Sequence, residues 1–226
     1  PATEKDPVGR GINQWLFRAG GDTVDLQWWP RIASFQQGVA AFGGGNVALD
    51  AGTDIKNFTA VIPTNGRVPT VDGERQADFA VVQGGGDLSV QAGGTVVGGQ
   101  FYAETGQLRV KAAELDSDVA LALGNAAARV VVSGDAALGN VFNPLWASAT
   151  TVVVNSGQTP VQLQTISYRE AMRFGTYGAS SAIDLVSVSG KVILNPSDSV
   201  LGLTDAETMR LAPSHVKVVA LNGDIL

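Results

Sequence analysis

The chain contains no cysteine and a single histidine, His215, among its 226 residues. The usual thiolate and imidazole metal centres therefore lack their ligands, and no disulfide framework ties the fold to an oxidising compartment. Charge is also scarce, at 16% of residues against 45% hydrophobic. That balance excludes a charge-rich disordered tail and a coiled coil. Net charge is −6, and no basic stretch is denser than Arg10 to Arg18, so no nucleic-acid partner is expected. No apolar run reaches the roughly 18 residues of a membrane-spanning helix, so no transmembrane segment is expected. Long amphipathic helical patterns are missing too. What the chain has in quantity is glycine, 28 residues of it, and the glycines recur in a pattern.

Gly84-Gly-Gly-Asp-Leu-Ser-Val-Gln-Ala-Gly-Gly-Thr-Val-Val97 echoes the earlier Gly43-Gly-Gly-Asn-Val-Ala-Leu-Asp-Ala-Gly-Thr-Asp-Ile55. Each is a short alternating strand followed by a small residue and a turn glycine. The same pattern fits Trp15/Phe17/Ala19-Gly20 and Val152/Val154/Ser156-Gly157, with looser copies at Ser133-Gly134, Ser189-Gly190 and Asn222-Gly223. Successive glycines stand 32, 41, 41, 23, 33 and 33 residues apart. A gap of 41 reads as two units, and Leu108/Val110/Ala112-Ala113 supplies one missing turn with alanine in place of glycine. Gaps of 32 to 33 read as one unit plus an insertion. The underlying period is about 20 residues, and a fixed period is the mark of a repeat architecture.

Residues 1–14 read as a lead-in loop. Trp15-Leu-Phe and Thr23-Val-Asp-Leu26 form a first strand pair, after which Pro30 breaks the pattern because it cannot donate to a central ladder. Residues 63–78 carry Pro63, Asn65-Gly66, Pro69 and Asp72-Gly73, the composition of a protruding loop, and residues 78–82 re-enter the body. Short strands then follow densely from 99 to 141. Residues 167–181 form a second insertion, helical or irregular, and Asp205 to Leu211 suits a helical turn capped by Thr204.

A unit this short cannot bury its apolar face alone, but stacked units can. The expected fold is all-β: a right-handed parallel β-helix (β-solenoid) with coils of about 20 residues and loop insertions, 1–226 forming a single segment. Leu88, Leu108, Val130 and Val152 are expected to stack in one ladder, with glycine at the corners for positive φ. An antiparallel sandwich is the rival all-β arrangement.

Little in the sequence carries reaction chemistry. His215 reads as an exposed loop residue. Glu114, Asp116 and Asp118 form the closest acidic cluster, but they lack the glycine and closing glutamate of a calcium loop and read as a solvated turn. The triple glycines precede neither a helix nor Lys-Ser/Thr, so they are corners and not phosphate cradles. Asp22, Asp54 and Asp224 follow turns at equivalent positions and suit turn capping. Catalytic residues, metal ligands and cofactor-binding residues are not expected. The candidate ligand-binding residues are Trp28, Trp29 and Arg31, because adjacent tryptophans cannot both enter a core and an exposed one can stack on a sugar ring or a partner protein. The alternative is that both cover an open flank over Phe35 and Phe42.

Gly44-Gly-Asn-Val-Ala-Leu-Asp-Ala-Gly-Thr-Asp-Ile55 and Gly85-Gly-Asp-Leu-Ser-Val-Gln-Ala-Gly-Gly-Thr-Val96 resemble the repeats of filamentous haemagglutinin-type exoproteins. Gln14-Trp-Leu-Phe-Arg-Ala-Gly-Gly-Asp22, Gln27-Trp-Trp-Pro-Arg31 and Gly139-Asn-Val-Phe-Asn-Pro144 are similar to segments of the giant members of that group. The likeness spans about residues 12–146. It implies a β-helical shaft piece of a large bacterial adhesin, secreted by the two-partner route and displayed extracellularly at the cell surface. It also implies a non-enzymatic, structural or adhesive role, with host-cell or surface glycans and proteins as partners. The chain is then expected to be an interior fragment whose first and last coils expose strand edges and associate end to end. A carbohydrate-binding or polysaccharide-degrading parallel β-helix is the alternative, although the 21 acidic residues are scattered.

Overall fold

Val47–Ala51 and Leu88–Ala92, the strands of the two matching phrases, lie side by side in parallel, with Val47 opposite Leu88 and Leu49 opposite Val90. The computed structural model describes residues 15–21, 24–30, 32–35, 38–67, 70–72, 74–75, 81–143, 150–152, 163–165, 177–194 and 213–226. Its elements are β-strands with one 3-10 turn at Ile32–Ser34, and most of the pairing is parallel.

Three parallel ladders recur in the same chain order. The first contains Val39–Ala40, Ala60–Ile62, residues 100–103 and 120–123, and Asn140–Phe142. The second runs through Val47–Ala51, Leu88–Ala92, residues 107–112 and 127–132, Ala182–Ser187 and His215–Ala220. The third joins Ile55–Lys56, Thr95–Val97, Glu114–Leu115, Ala136–Ala137 and Val192–Ile193, with Ile225 bridged to Val192. Passage from the first ladder to the second is continuous within Gln100–Ala112 and Ala120–Val132.

Side chains alternate along each strand, so each ladder sends one set of residues inward. In the second ladder an inner row holds Val47, Leu88, Leu108, Ala128, Ile183 and Val216; beside it stand Leu49, Val90, Val110, Val130, Leu185 and Val218. The expected stacking of Leu88 on Leu108 is present. Ala128 is the residue that stacks on Leu108, and Val130 stands one row over, beside Val110. Val152 is not in the ladder: Thr150–Val152 pairs antiparallel with Leu163–Thr165. Ile55, Val96, Leu115, Ala136 and Val192 supply the inner row of the third ladder and join the same buried cluster.

The first ladder is buried on both sides. Phe101, Ala103, Leu121 and Leu123 face the interior, whereas Val61, Tyr102, Ala120 and Ala122 face an outer cluster with Trp15 and Leu16. Trp15 packs edge-on against Phe35 at 5.5 Å and tilted against Phe42 at 5.6 Å. Trp15, and not the Trp28-Trp29 pair, covers those two phenylalanines. Small outer residues at Ala120 and Ala122 let the rings approach the sheet closely.

One expected repeat copy, that at Gly20, is an antiparallel structure, and so is part of the expected loop. Leu16–Gly21 pairs with Val24–Pro30, and Thr64–Arg67 pairs with Val81–Gly84; together these strands form one four-stranded sheet. Within residues 63–78, expected as a loop, Thr64–Arg67 is therefore a strand that begins an arm, and Thr70–Val71 pairs antiparallel with Glu74–Arg75. Residues 81–82 complete that arm and do not re-enter the body. The Gly52-to-Gly93 spacing is one pass plus this arm, whereas the Gly93-to-Gly134 spacing is two passes. Ala113 marks the intermediate turn: its N–H donates to Gly94 O at 2.8 Å and its carbonyl accepts the N–H of Gly134 at 2.7 Å. The lead-in loop 1–14, residues 167–176 of the second insertion and the helical turn at 205–211 lie outside the described residues.

Glycine serves two different needs at the corners. Gly86 has φ +150° and would drive a Cβ into the carbonyl oxygen of Gly45. Gly93 has no positive φ; its requirement is space, because a Cβ there meets the Gly52 carbonyl oxygen. The expectation of positive φ thus fails at the Ala-Gly corner.

Leu108→Ala leaves a void between Leu88 and Ala128 and is expected to lower unfolding free energy by about 2–5 kcal/mol in urea titration. Gly93→Ala should cost about 1–3 kcal/mol through overpacking. Gly52→Ala, whose Cβ meets nothing within 4 Å, should leave the urea midpoint unchanged. Equal effects of the two glycine substitutions would refute the close-approach explanation.

Candidate functional site

The strand signals around Gly20 fold Leu16–Gly21 back on Val24–Pro30, with Phe17 opposite Trp29 and Arg18 opposite Trp28. Trp28 also stands opposite Gly66 in Thr64–Arg67. Its indole occupies the space a Cβ on Gly66 would take, and its Nε1–H donates to Thr64 Oγ1 at 3.0 Å. Trp28 is therefore a clasp between the hairpin and the arm. Alternation along the strand directs Trp29 to the opposite face, where it remains 37% exposed. The two tryptophans do not form one site, and Arg31 lies outside the described residues. Trp29 is the exposed aromatic of the candidate trio.

Charged groups are spread over the surface as isolated pairs. Arg109 lies 3.4 Å from Asp87, Arg129 lies 4.0 Å from Asp184, and Lys191 lies 3.9 Å from Asp135. Such solvated pairs contribute little to stability. Asp116 Oδ1 accepts the N–H of Asp118 at 2.9 Å, closing a local turn in the acidic cluster with Glu114. Among the described residues no three His, Cys, Asp or Glu side chains gather as metal ligands. His215 is exposed at the start of its strand. Burial against the core raises the Tyr177 phenol above its ordinary range.

The polar chemistry that is organised lies at the corners. Asn46 Oδ1 accepts the N–H of Asp87 at 2.9 Å, and Asp87 Oδ1 accepts the N–H of Gln107 at 3.0 Å. Asp54 takes Thr95 N–H, Asn125 takes Ser180 N–H, and Asp135 takes Lys191 N–H. Each acceptor sits on one pass and its donor on the next. Capping was expected of Asp54 within its own turn; the bond instead joins residues 41 apart in sequence. Asp224 gives a backbone carbonyl to Val192 N–H at 2.8 Å, and Asp22 lies outside the described residues. The sequence does carry a signal for these acceptors: Asn46, Asp87, Asn125 and Asp135 each follow a glycine directly.

A Lys56 ammonium 2.9 Å from Asp54, together with the Thr95 N–H, holds the Asp54 carboxyl below its ordinary range. Comparison with protein families, curated proteins and solved structures finds no match.

Trp28→Ala should cost about 1–3 kcal/mol of local stability, read as faster hydrogen exchange in Val24–Pro30 and Thr64–Arg67, while Trp29→Ala should stay within about 0.5 kcal/mol. The Asp54 contribution has a definite sign. Its folded pKa lies below the unfolded one, so the stabilisation is present above about pH 4 and lost as pH falls through the folded value. The urea-midpoint advantage of the wild type over Asp54→Asn should therefore shrink on acidification. A constant difference would remove the charge from the account.

Proposed function

We propose that this chain is a right-handed parallel β-helical shaft segment of a large, secreted or surface-displayed bacterial haemagglutinin-like adhesin. Its role is structural and adhesive, and it is not an enzyme. The observation that carries this reading is the second ladder: six parallel strands in register, the first two of which, Val47–Ala51 and Leu88–Ala92, follow the Gly-Asn/Asp-apolar phrases that resemble haemagglutinin repeats. Three ladders visited in fixed order, with short connections at most corners, are what a winding chain produces. The right hand follows from the general preference of parallel strand connections.

A stack of this kind suits extension. Each added pass buries another apolar layer and satisfies the strand edge before it, so length grows without a larger core. Contacts with host glycans or proteins fall to parts that project from the stack. The hairpin Leu16–Gly21/Val24–Pro30 of the antiparallel sheet, with Trp29 exposed on it, is the described part that presents an aromatic ring. Such a ring suits stacking on a sugar or packing on a protein. No arrangement of side chains among the described residues favours the polysaccharide-degrading alternative.

Antibody raised against this chain should label intact source cells and detect on denaturing gels a parent far larger than the 23.3 kDa of this segment. A parent of that same mass, found only inside the cells, would contradict the proposal. Beads coated with the segment should adhere to host-cell glycans or proteins less well after Trp29→Ala. Unchanged adhesion would move the contact elsewhere on the shaft.

A further inference from the structure

The hairpin and the arm share one sheet, and its register gathers on one face side chains that the sequence keeps apart. Trp28 stands opposite Gly66, and Gly66 opposite Val82, so one step along the strands brings Trp29, Asn65 and Gln83 into a row. Arg67 and Val81 stand opposite each other, two residues from Asn65 and Gln83, and so lie on the same face. Trp28, Thr64, Gly66 and Val82 belong to the other face. Burial follows this division: Thr64 and Gly66 are buried, whereas Asn65 is half-buried and Arg67 exposed. Trp29, Val81 and Gln83 are exposed as well. The result is an open platform.

The groups on this platform suit a sugar acid. Trp29 offers a ring on which the C–H face of a pyranose can stack, and Arg67 is a planar donor fork that matches a carboxylate. Diagonal neighbours on adjacent strands are about 7–8 Å apart, so the two side chains can reach the ring and the acid group of one sugar. Beside them, Asn65 Nδ2 donates to Phe42 O at 3.4 Å, which turns Oδ1 toward an incoming hydroxyl. Gln83 carries its amide one strand further on, where the next sugar of a chain falls. The charge is available too. Arg67 has no carboxylate partner, whereas Lys56, Arg109, Arg129 and Lys191 each have one within 4.0 Å. Lys111 and Lys217 are also unpaired, but the outer face of the second ladder, where they stand, holds no tryptophan, tyrosine or phenylalanine. Among the described residues an unpaired cation and an exposed tryptophan coincide on this platform alone.

We infer that this face of the antiparallel sheet binds a glycan bearing a carboxylate on a pyranose ring, a uronic or sialic acid, with the ring on Trp29 and the carboxylate on Arg67. An apolar protein surface laid on Trp29 would desolvate Arg67 without a partner, so the sugar acid is the better fit. The inference rests on the adhesive reading for a glycan as partner, and goes beyond it in fixing the charge of the sugar and the residues that read it.

Interferometry of the 226-residue chain against immobilised polygalacturonate and sialyllactose tests it, with the carboxyl-reduced form of each as neutral control. The wild type should bind at least one of the two acids, which identifies the source, and carboxyl reduction should weaken that binding about tenfold. Arg67→Gln should produce the same loss toward the acid and none toward the reduced glycan. Trp29→Ala should weaken binding to both. Arg109→Gln removes an equal charge from the second ladder and should change nothing. All three positions are exposed, so the variants should keep the circular dichroism of the wild type, and the comparison of acid with reduced glycan needs no variant. Failure of the wild type to bind either acid overturns the inference, as does equal affinity for the reduced forms or an Arg109→Gln loss matching that of Arg67→Gln. Binding confined to the neutral glycans overturns the carboxylate site and leaves the adhesive reading standing, whereas a small intracellular parent sinks the adhesive reading itself.

Discussion

Every pass of this chain must satisfy the backbone of the pass before it, and that single requirement governs the rest of the structure. A parallel ladder bonds each strand on both edges, so neighbouring passes must keep both hydrogen-bond parity and inward–outward phase. A one-residue slip would turn Leu108 outward and bring Arg109 into the core. Once Val47, Leu88 and Leu108 are aligned, the third ladder follows through Ile55, Val96 and Leu115. The repeat period is the length of chain that returns to the same register.

The corners show how that register is held where regular pairing stops. Asn46, Asp87, Asp54, Asn125 and Asp135 accept backbone N–H groups from the neighbouring pass, replacing strand bonds lost at the bend. These bonds lie at the exposed surface, so each adds only the modest net stabilisation of a solvated hydrogen bond and serves to fix the register at the bend. Serine does similar work further along: buried Ser187 accepts the Gly190 N–H, and its oxygen lies 2.7 Å from the Gly134 carbonyl. Glycine at Gly86 and Gly93 lets successive backbones approach closely enough for these bonds to form.

The second ladder was legible in the sequence because one of its faces is solvated, so polar residues alternate with the buried row and expose the phase. Leu88, Val90, Leu108 and Val110 could be aligned from the alternation alone. The first ladder was not legible in this way. Trp15, Phe35 and Phe42 cover its outer side, and Phe101-Tyr102-Ala103 reads as a continuous apolar run without phase. The segment at 16–30 misled for another reason: a hairpin strand and a ladder strand share the period of two, and only the partner distinguishes them; Thr64–Arg67 misled because Asn65-Gly66 has the composition of a turn and yet lies in a strand. Of the candidate site residues, the sequence singled out the tryptophan pair, but the separate roles of Trp28 and Trp29 depend on Gly66, a cross-strand neighbour that no local pattern reveals.

The central claim is that successive passes stack at the spacing of a parallel sheet, and spin-label distances test it directly in a chain free of cysteine. Ala48 and Lys217 occupy one outer row, at opposite ends of the six-stranded ladder. Cysteine substitution and labelling at both positions should give one narrow distribution centred on about 24 Å between backbones, five strand spacings of about 4.8 Å. A broad distribution, or a mean far from that value, would contradict stacked passes as the basis of the fold.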